Sequence, residues 1–450
     1  MVLLSLYKGL KFLSHPPHTF VVLPQQAKTT NMRRIFIFIF SFSFCVTLHA
    51  QDTIQQIVPN RKNTATQISK PYVILISADG FRYDYAEMYH AENLLKLRSS
   101  GVQAESMIPS FPSVTFPNHY TIVTGLYPSH HGIVYNQFYD RSRNDTYSIG
   151  NRRTVEDGTW YGGTPLWVLA EQQGMLSASY YFVGSEAAIK ETYPTYWYRF
   201  GDKTDINYRI DKVVDWLKLP EDIRPHFITF YISNTDHAGH MFGPETPQTE
   251  EAVQFVDKAI GSMVEKVSAL GLPVNYIFLA DHGMAAVDTV TRINIATMID
   301  TSRFIMRGGG TSLHLYAKDT ADIHPTYESL KKKEQFFTAY LREGIPAKWH
   351  YTKADDRFNR IGDIFIVPEY PKVLSSYTNR ISPGAHGFDP AIKKMHATFY
   401  AWGPQIETGK TIPSFGNIHV YPLVCKLLGL TYTEQIDGDP KVLEKMIRKN

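Results

Sequence analysis

Ile74-Leu75-Ile76-Ser77-Ala78-Asp79-Gly80 reads as an apolar strand that stops on an acid and a glycine. The junction recurs twice, where Phe227 to Ile232 leads into Asn234-Thr235-Asp236 and Tyr276 to Ala280 leads into Asp281-His282. Short unbroken apolar runs suit strands covered on both faces, as in a parallel sheet. Helical patterns lie between them: Ala91 to Leu97, stopped by Gly101; Asp211 to Leu217; and Thr249 to Leu270, ending at Gly271. This alternation predicts an α/β fold with a central, mostly parallel sheet flanked by helices. In such sheets, ligands bind at the carboxyl ends of strands, where segments distant in sequence converge.

Further along, the pattern changes character. Between about 300 and 380 we expect a smaller α+β insertion: strand Ser312 to Tyr316, a Lys- and Glu-rich helix Tyr327 to Arg342, and strands Trp349 to Thr352 and Asp363 to Val367. His396 to Trp402 then resumes the main sheet, Tyr421 to Leu428 is the last core helix, and 431–450 is a tail. Residues 71–430 are thus expected to form one folded domain. Residues 51–70 are polar and aperiodic, which predicts a flexible lead-in.

The first fifty residues differ in composition from the rest. They hold five cations (Lys8, Lys11, Lys28, Arg33, Arg34) and no acid, so the formal charge of +3 becomes about −2 without them. No broad nucleic-acid footprint is implied. Met32-Arg33-Arg34, an apolar run from Ile35 to Thr47 and Leu48-His49-Ala50 have the layout of a signal peptide. Cleavage after Ala50 is expected, giving an exported, periplasmic or secreted protein whose mature amino terminus is Gln51. The apolar run falls short of the roughly 20 residues of a spanning helix. Loss of this segment takes Cys45 with it and leaves Cys425 alone, as a buried packing residue rather than half of a disulfide.

Asp79, Thr115, Asp236, His240, Asp281, His282 and His386 form a candidate metal-ligand set. Asp236 and His240 are four apart and share one face of a helical turn. Carboxylate and imidazole donors without thiolate suit zinc in an open, catalytic site. Three carboxylates against two divalent ions leave roughly one positive charge, which favours an anionic substrate. Thr115 sits in Ser113-Val114-Thr115-Phe116-Pro117-Asn118-His119. Its hydroxyl is a weak nucleophile until a metal lowers its pKa. Two ions ~4 Å apart can then stabilise both the attacking and leaving oxygens of an in-line displacement.

These residues resemble the nucleotide pyrophosphatase/phosphodiesterase family of the alkaline phosphatase superfamily. The motifs are ILISADGFRYDY (74–85), PSFPSVTFPNHYTIVTGLYPSHHGIVYNQFYD (109–140), Gly184-Ser185-Glu186, DHAGHMFGP (236–244), LADHGM (279–284), and GAHGFD (384–389) followed by MHATFYAWGP (395–404). The resemblance implies an alkaline-phosphatase-like fold and two Zn2+. Asp79, Thr115, Asp281 and His282 would hold one ion; Asp236, His240 and His386 would hold the other. It further implies that Asn136 and the backbone amide of Phe116 donate to a phosphoryl oxygen. An aromatic slot would be formed by Phe116 and Tyr231, completed by another aromatic near Tyr196 to Phe200.

The implied activity is hydrolysis of nucleotide pyrophosphates or phosphodiesters through a covalent threonine intermediate, releasing nucleoside monophosphates. A choline lysophospholipid substrate is the alternative, and needs an aromatic or acidic cage for the trimethylammonium. A phosphomonoesterase usually adds an Arg or Lys clamp, and no cation lies between Ser110 and Asp140. A sulfatase is disfavoured by threonine at 115, and an inactive binding protein by the intact ligand set. Neither stable nucleic-acid binding nor a membrane span in the mature form is expected. His119, His130, His131, His237 and His314 are read as structural.

Overall fold

The computed structural model describes residues 54–201, 203–375 and 380–449. The proposed signal segment and its cleavage after Ala50 lie outside these residues. No helix among them is long and apolar enough to cross a membrane.

Nine strands form the main sheet, in the order Gln56–Ile57, Tyr196–Tyr198, Ser177–Tyr180, Phe227–Ile232, Tyr72–Ala78, Val274–Leu279, Phe399–Trp402, Val102–Ala104, Lys410–Ile412. Five of its eight described pairings are parallel. The three strands that end on acids are adjacent at the centre. Ser77 is in register with Tyr231 on one side and Leu279 on the other, so all three chains leave the sheet at the same level. Val73 to Ile76 are fully buried, as expected of a central strand covered on both faces. Each such side chain contributes roughly 1.5–3 kcal/mol of apolar burial.

The helix Pro247–Ser268 illustrates the flanking layer. Thr246 caps it by accepting from the Thr249 amide, Pro247 opens its first turn, and Val253, Val256, Ile260, Met263 and Val267 are buried along one face. Cys425 is buried in the helix Val420–Leu428, and burial pushes its thiol pKa up.

Two elements of the insertion differ from the sequence reading. The helix expected over Tyr327 to Arg342 is a shorter helix, Ile323–Lys331, followed by a strand, Phe337–Leu341. Glu334 ends the charged stretch by accepting from Lys331 Nζ and the Ala339 amide. Beyond it, Phe337 and Ala339 alternate inward, and the segment pairs antiparallel with Ile364–Pro368. The strand expected at Trp349 to Thr352 is absent: Ala347–Trp349 is a 3-10 turn and His350 is left-handed, with φ 51°. There Trp349 stacks on Phe111 at 4.1 Å, and Tyr351 Oη donates to Val134 O at 2.7 Å. Side-chain packing, rather than a ladder, satisfies this segment. The insertion's sheet runs Phe304–Gly309, Ser312–Ala317, Ile364–Pro368, Phe337–Leu341 over its own apolar cluster.

The stretch read as a flexible lead-in also differs, because Gln56–Ile57 is the edge strand of the main sheet. Asn63 is 6% exposed; its Nδ2 donates to Glu221 O and Arg224 O, and its Oδ1 accepts from the Leu176 amide. Polar composition concealed a buried, fully bonded amide. Asn63→Ala removes the partner of the buried Leu176 amide and of two part-buried carbonyls and is expected to cost about 1–3 kcal/mol, read as a lower midpoint in urea.

Candidate metal centre and substrate cavity

Asp79 and Asp281 follow central strands closely, Asp236 and His240 lie on a helix just after a third strand, and Thr115 opens another helix. Asp79 precedes Gly80, whose φ is +66° and where any Cβ would lie 2.9 Å from Asp236 Cα. Only glycine lets these two carboxylate-bearing turns approach so closely. The Gly80 amide donates to Asp281 Oδ1 at 3.2 Å, which ties the third turn to the first. Asp236 and His240 lie on the helix Asn234–Phe242, and their facing atoms are 3.4 Å apart.

His386 approaches the same Asp236 oxygen at 3.4 Å, so Asp236, His240 and His386 form one group able to hold a metal ion. Asp79, Asp281 and His282 gather beside it: His282 Nε2 is 2.9 Å from Asp281 Oδ2 and 3.5 Å from Asp79 Oδ1. Asp236 also reaches Asp79 and His282, so the two groups share an edge. Thr115 opens the helix Thr115–Thr124, with Oγ1 3.2 Å from His282 Nε2. An anion in front of Thr115 therefore meets the positive end of a helix.

The donors fit divalent cations. Asp79 Oδ1, Asp236 Oδ1 and Asp281 Oδ2 are buried with no hydrogen-bond partner, an expensive arrangement unless a cation faces them. All three histidines turn Nδ1 to a backbone carbonyl: His240 to Gly384 at 2.9 Å, His282 to Gly283 at 2.9 Å, His386 to Ser113 at 2.8 Å. That fixes Nε2 as the lone-pair nitrogen facing the cluster. Burial, with His282 and His240 nearby, holds His386 well below the usual histidine range, as a neutral ligand. Burial and the Asp281 and Asp236 charges push Asp79 well above the usual carboxylate range. Burial also raises Asp236. For Asp281 burial acts upward too, but His282 and His119 prevail and hold it well below that range. Divalent cations remove the repulsion that raises the first two.

Beside the cluster opens a cavity of about 490 Å³. Thr115, Phe116, Asn136 and Tyr231 line it, as the sequence reading required of a substrate site, and Phe200 is the further aromatic from the Tyr196 to Phe200 segment. Tyr231 has a second duty, since its hydroxyl donates to Asp79 Oδ2 at 2.6 Å. Asn136 differs in detail from expectation. Its Oδ1 accepts from the Phe116 amide at 3.0 Å, which occupies that N–H and leaves Nδ2 as the donor available to the cavity.

The sequence reading overlooked other contributors. His119 packs behind the cluster, with Nδ1 3.3 Å from Asp281 Oδ2 and Nε2 2.8 Å from Ser77 Oγ; its position one helical turn after Thr115 was the available signal. Arg152 lines the cavity although it lies beyond the cation-free stretch from Ser110 to Asp140, and it pairs with Glu156 at 3.6 Å. Glu186, from the Gly184-Ser185-Glu186 motif, lines the same cavity and accepts from the Phe200 amide at 2.9 Å. By contrast His237 is exposed, while His130 pairs with Asp437, and His131 and His314 are buried away from the cluster.

Burial pushes the Glu186 carboxyl up from 4.5 to about 7. A raised native value means that the folded protein holds the extra proton. Its contribution to stability is complete below the unfolded value and is lost as pH rises through about 7. Glu186→Gln keeps the acceptor and cannot ionise. It is expected to be more stable than the parent by about 2–3 kcal/mol at pH ~9 and nearly equal below pH ~5, as denaturant midpoints across that range would show.

A mostly parallel sheet that gathers three aspartates, three histidines and a threonine at a helix start near its carboxyl edge defines an alkaline-phosphatase-like fold with side chains able to hold a metal ion. A family model described as type I phosphodiesterase / nucleotide pyrophosphatase matches residues 73–389. The chain belongs to that family. The venom phosphodiesterase of Macrovipera lebetinus is 35% identical over 370 residues, which cover 80% of this chain and 43% of that protein; the chain thus spans less than half of this relative. An uncharacterized pyrophosphatase/phosphodiesterase of Schizosaccharomyces pombe is 34% identical over 393 residues, covering 83% of this chain and 80% of that one. Murine ectonucleotide pyrophosphatase/phosphodiesterase 5, as an inactive threonine-to-alanine variant in complex with AMP, superposes with a TM-score of 0.79 at 26% identity, covering 84% of this chain and 100% of that chain.

Proposed function

We propose that the protein is an exported, two-zinc phosphodiesterase that cleaves nucleotide pyrophosphates or nucleotide diesters and releases nucleoside monophosphates. The observation that carries this reading is the convergence of two Asp/His groups, with partnerless carboxylate oxygens, on Thr115 at the mouth of an aromatic-lined cavity. Asp79, Thr115, Asp281 and His282 would hold one ion, and Asp236, His240 and His386 the other. When bound, the pair supplies Lewis acidity and lowers the pKa of the attacking hydroxyl.

Thr115 Oγ1 attacks phosphorus as the P–O bond to the leaving group breaks and its electron pair passes to the departing oxygen; water then attacks the phosphorus of the nucleotidyl-threonine, which frees the nucleoside monophosphate and restores the hydroxyl. Asn136 Nδ2 donates to a phosphoryl oxygen, and the amino end of Thr115–Thr124 faces its charge. Phe116 and Phe200 offer flat surfaces for a base, and Tyr231 orients Asp79. Arg152 is countered by Glu156, which leaves a monoester dianion without a dedicated clamp. Inactivity of the murine relative's threonine-to-alanine variant, and its complex with AMP, support a threonine nucleophile and a nucleotide substrate.

The decisive measurement is the ratio of kcat/KM for p-nitrophenyl thymidine monophosphate over p-nitrophenyl phosphate, with p-nitrophenyl phosphorylcholine as a third arm. A ratio well above one is expected. It should fall in Phe116→Ala and Phe200→Ala, each losing roughly 1–3 kcal/mol of stacking on the nucleotide substrate. A wild-type ratio below one refutes the diesterase reading.

A further inference from the structure

A second cleft, of about 410 Å³, begins at the other side of His240 and is lined by Ile293, Ile295, Met306, Leu313 and Leu374. We propose that this cleft binds the leaving-group half of the substrate, and that it selects an apolar alcohol or phenol; the inference rests on the diesterase reading above. His240 is the residue common to both cavities, while Thr115 and Asn136 line only the first. In an in-line displacement, Thr115 Oγ1 forms a bond to phosphorus as the opposite P–O bond breaks, its electron pair passing to the leaving oxygen. The departing group therefore lies away from Thr115. The retained half occupies the aromatic cavity, and the cleft that starts at His240 is the recess that reaches one of the same candidate ligands from outside that cavity.

The lining sets the chemistry. Among the described residues around the cleft there is no carboxylate and one arginine, Arg380. A pyrophosphate would find one cation where it needs several, whereas an alkyl or aryl body would bury apolar surface against Ile293, Ile295, Met306, Leu313 and Leu374. The outer wall is the hairpin of the insertion, Phe304–Gly309 and Ser312–Ala317, whose apolar cluster runs on beneath Met306 and Leu313. Tyr135, beside Asn136, donates from its hydroxyl to Gly309 O at 3.2 Å, so this wall is fastened to the segment that carries the phosphoryl donor. His240 is held at the partition by the hydrogen bond to Gly384 O.

The test is a series of 4-alkyl-2-nitrophenyl esters of thymidine monophosphate, whose leaving phenols have nearly equal acidity and differ in alkyl length from methyl to hexyl. With the zinc-loaded protein, kcat/KM is expected to rise about two- to fourfold per methylene until the cleft is filled. Binding of the same uncleaved esters to Thr115→Ala should tighten in parallel. Met306→Glu and Met306→Trp change a half-buried position in the cleft wall; both are expected to flatten the length dependence, with zinc content and thermal midpoint showing that the fold is kept. A flat wild-type series with good turnover of the methyl ester overturns the leaving-group cleft and leaves the diesterase reading intact. A slope unchanged in both variants also overturns it, because the chain then lies elsewhere. Failure to turn over any ester sinks the diesterase reading, and with it this inference.

Discussion

Thr115→Ala is expected to reduce kcat by at least about 10⁴-fold, the scale seen when a covalent nucleophile is removed, while metal content stays close to that of the parent. The hydroxyl lies 3.2 Å from His282 Nε2 at the first residue of its helix. Alanine is compatible with that backbone, and the carboxylates and imidazoles of both groups remain. Thr115→Ser keeps the oxygen and loses a methyl, so it should retain measurable turnover. Metal analysis beside steady-state kinetics separates loss of a nucleophile from loss of an ion. If the alanine variant kept a large share of parental turnover, water would be the first nucleophile and the covalent route would fall.

The second large effect concerns the ions themselves. Asp236 is the one carboxylate of the group with His240 and His386 and also reaches Asp79 and His282, so Asp236→Ala should lower zinc below two per chain and cost at least about 10³-fold in turnover, more than loss of one oxyanion-stabilising donor. Chelation of the parent should abolish activity, and zinc should restore it. Stability must follow, because the metal-free protein keeps three partnerless carboxylate oxygens in its interior. An uncompensated buried charge typically costs about 3–5 kcal/mol, and thermal melts with and without chelator would read that loss. A chelated protein that melts with the parent and keeps its turnover would mean that these oxygens face no functional cation.

Part of the centre is legible in the residue order, because three of the candidate ligands each follow a local event that periodicity reveals. An apolar run long enough for a strand, ended by an acid and a turn, identifies Asp79, Asp236 and Asp281 one at a time. The errors have a common cause. Composition measures what a segment exposes on average, and Asn63, the strand after Glu334, and the turn at Trp349 are each stabilised by partners outside the local pattern. No periodicity within the segment carries that information.

The sequence alone determined the α/β class, the candidate ligand set with the threonine beside it, and the burial of Cys425. Tertiary structure decided the rest. It placed the three acid-ended strands side by side in register, spent the Phe116 amide on Asn136, tied Tyr231 to Asp79, set His119 behind Asp281, brought Arg152 and Glu186 to the cavity wall, and opened a second cleft under the insertion. The division has a physical reason. Burial of an element is written in the spacing of its own side chains, whereas the neighbour it lies against is chosen by pairing and packing energies between residues far apart along the chain.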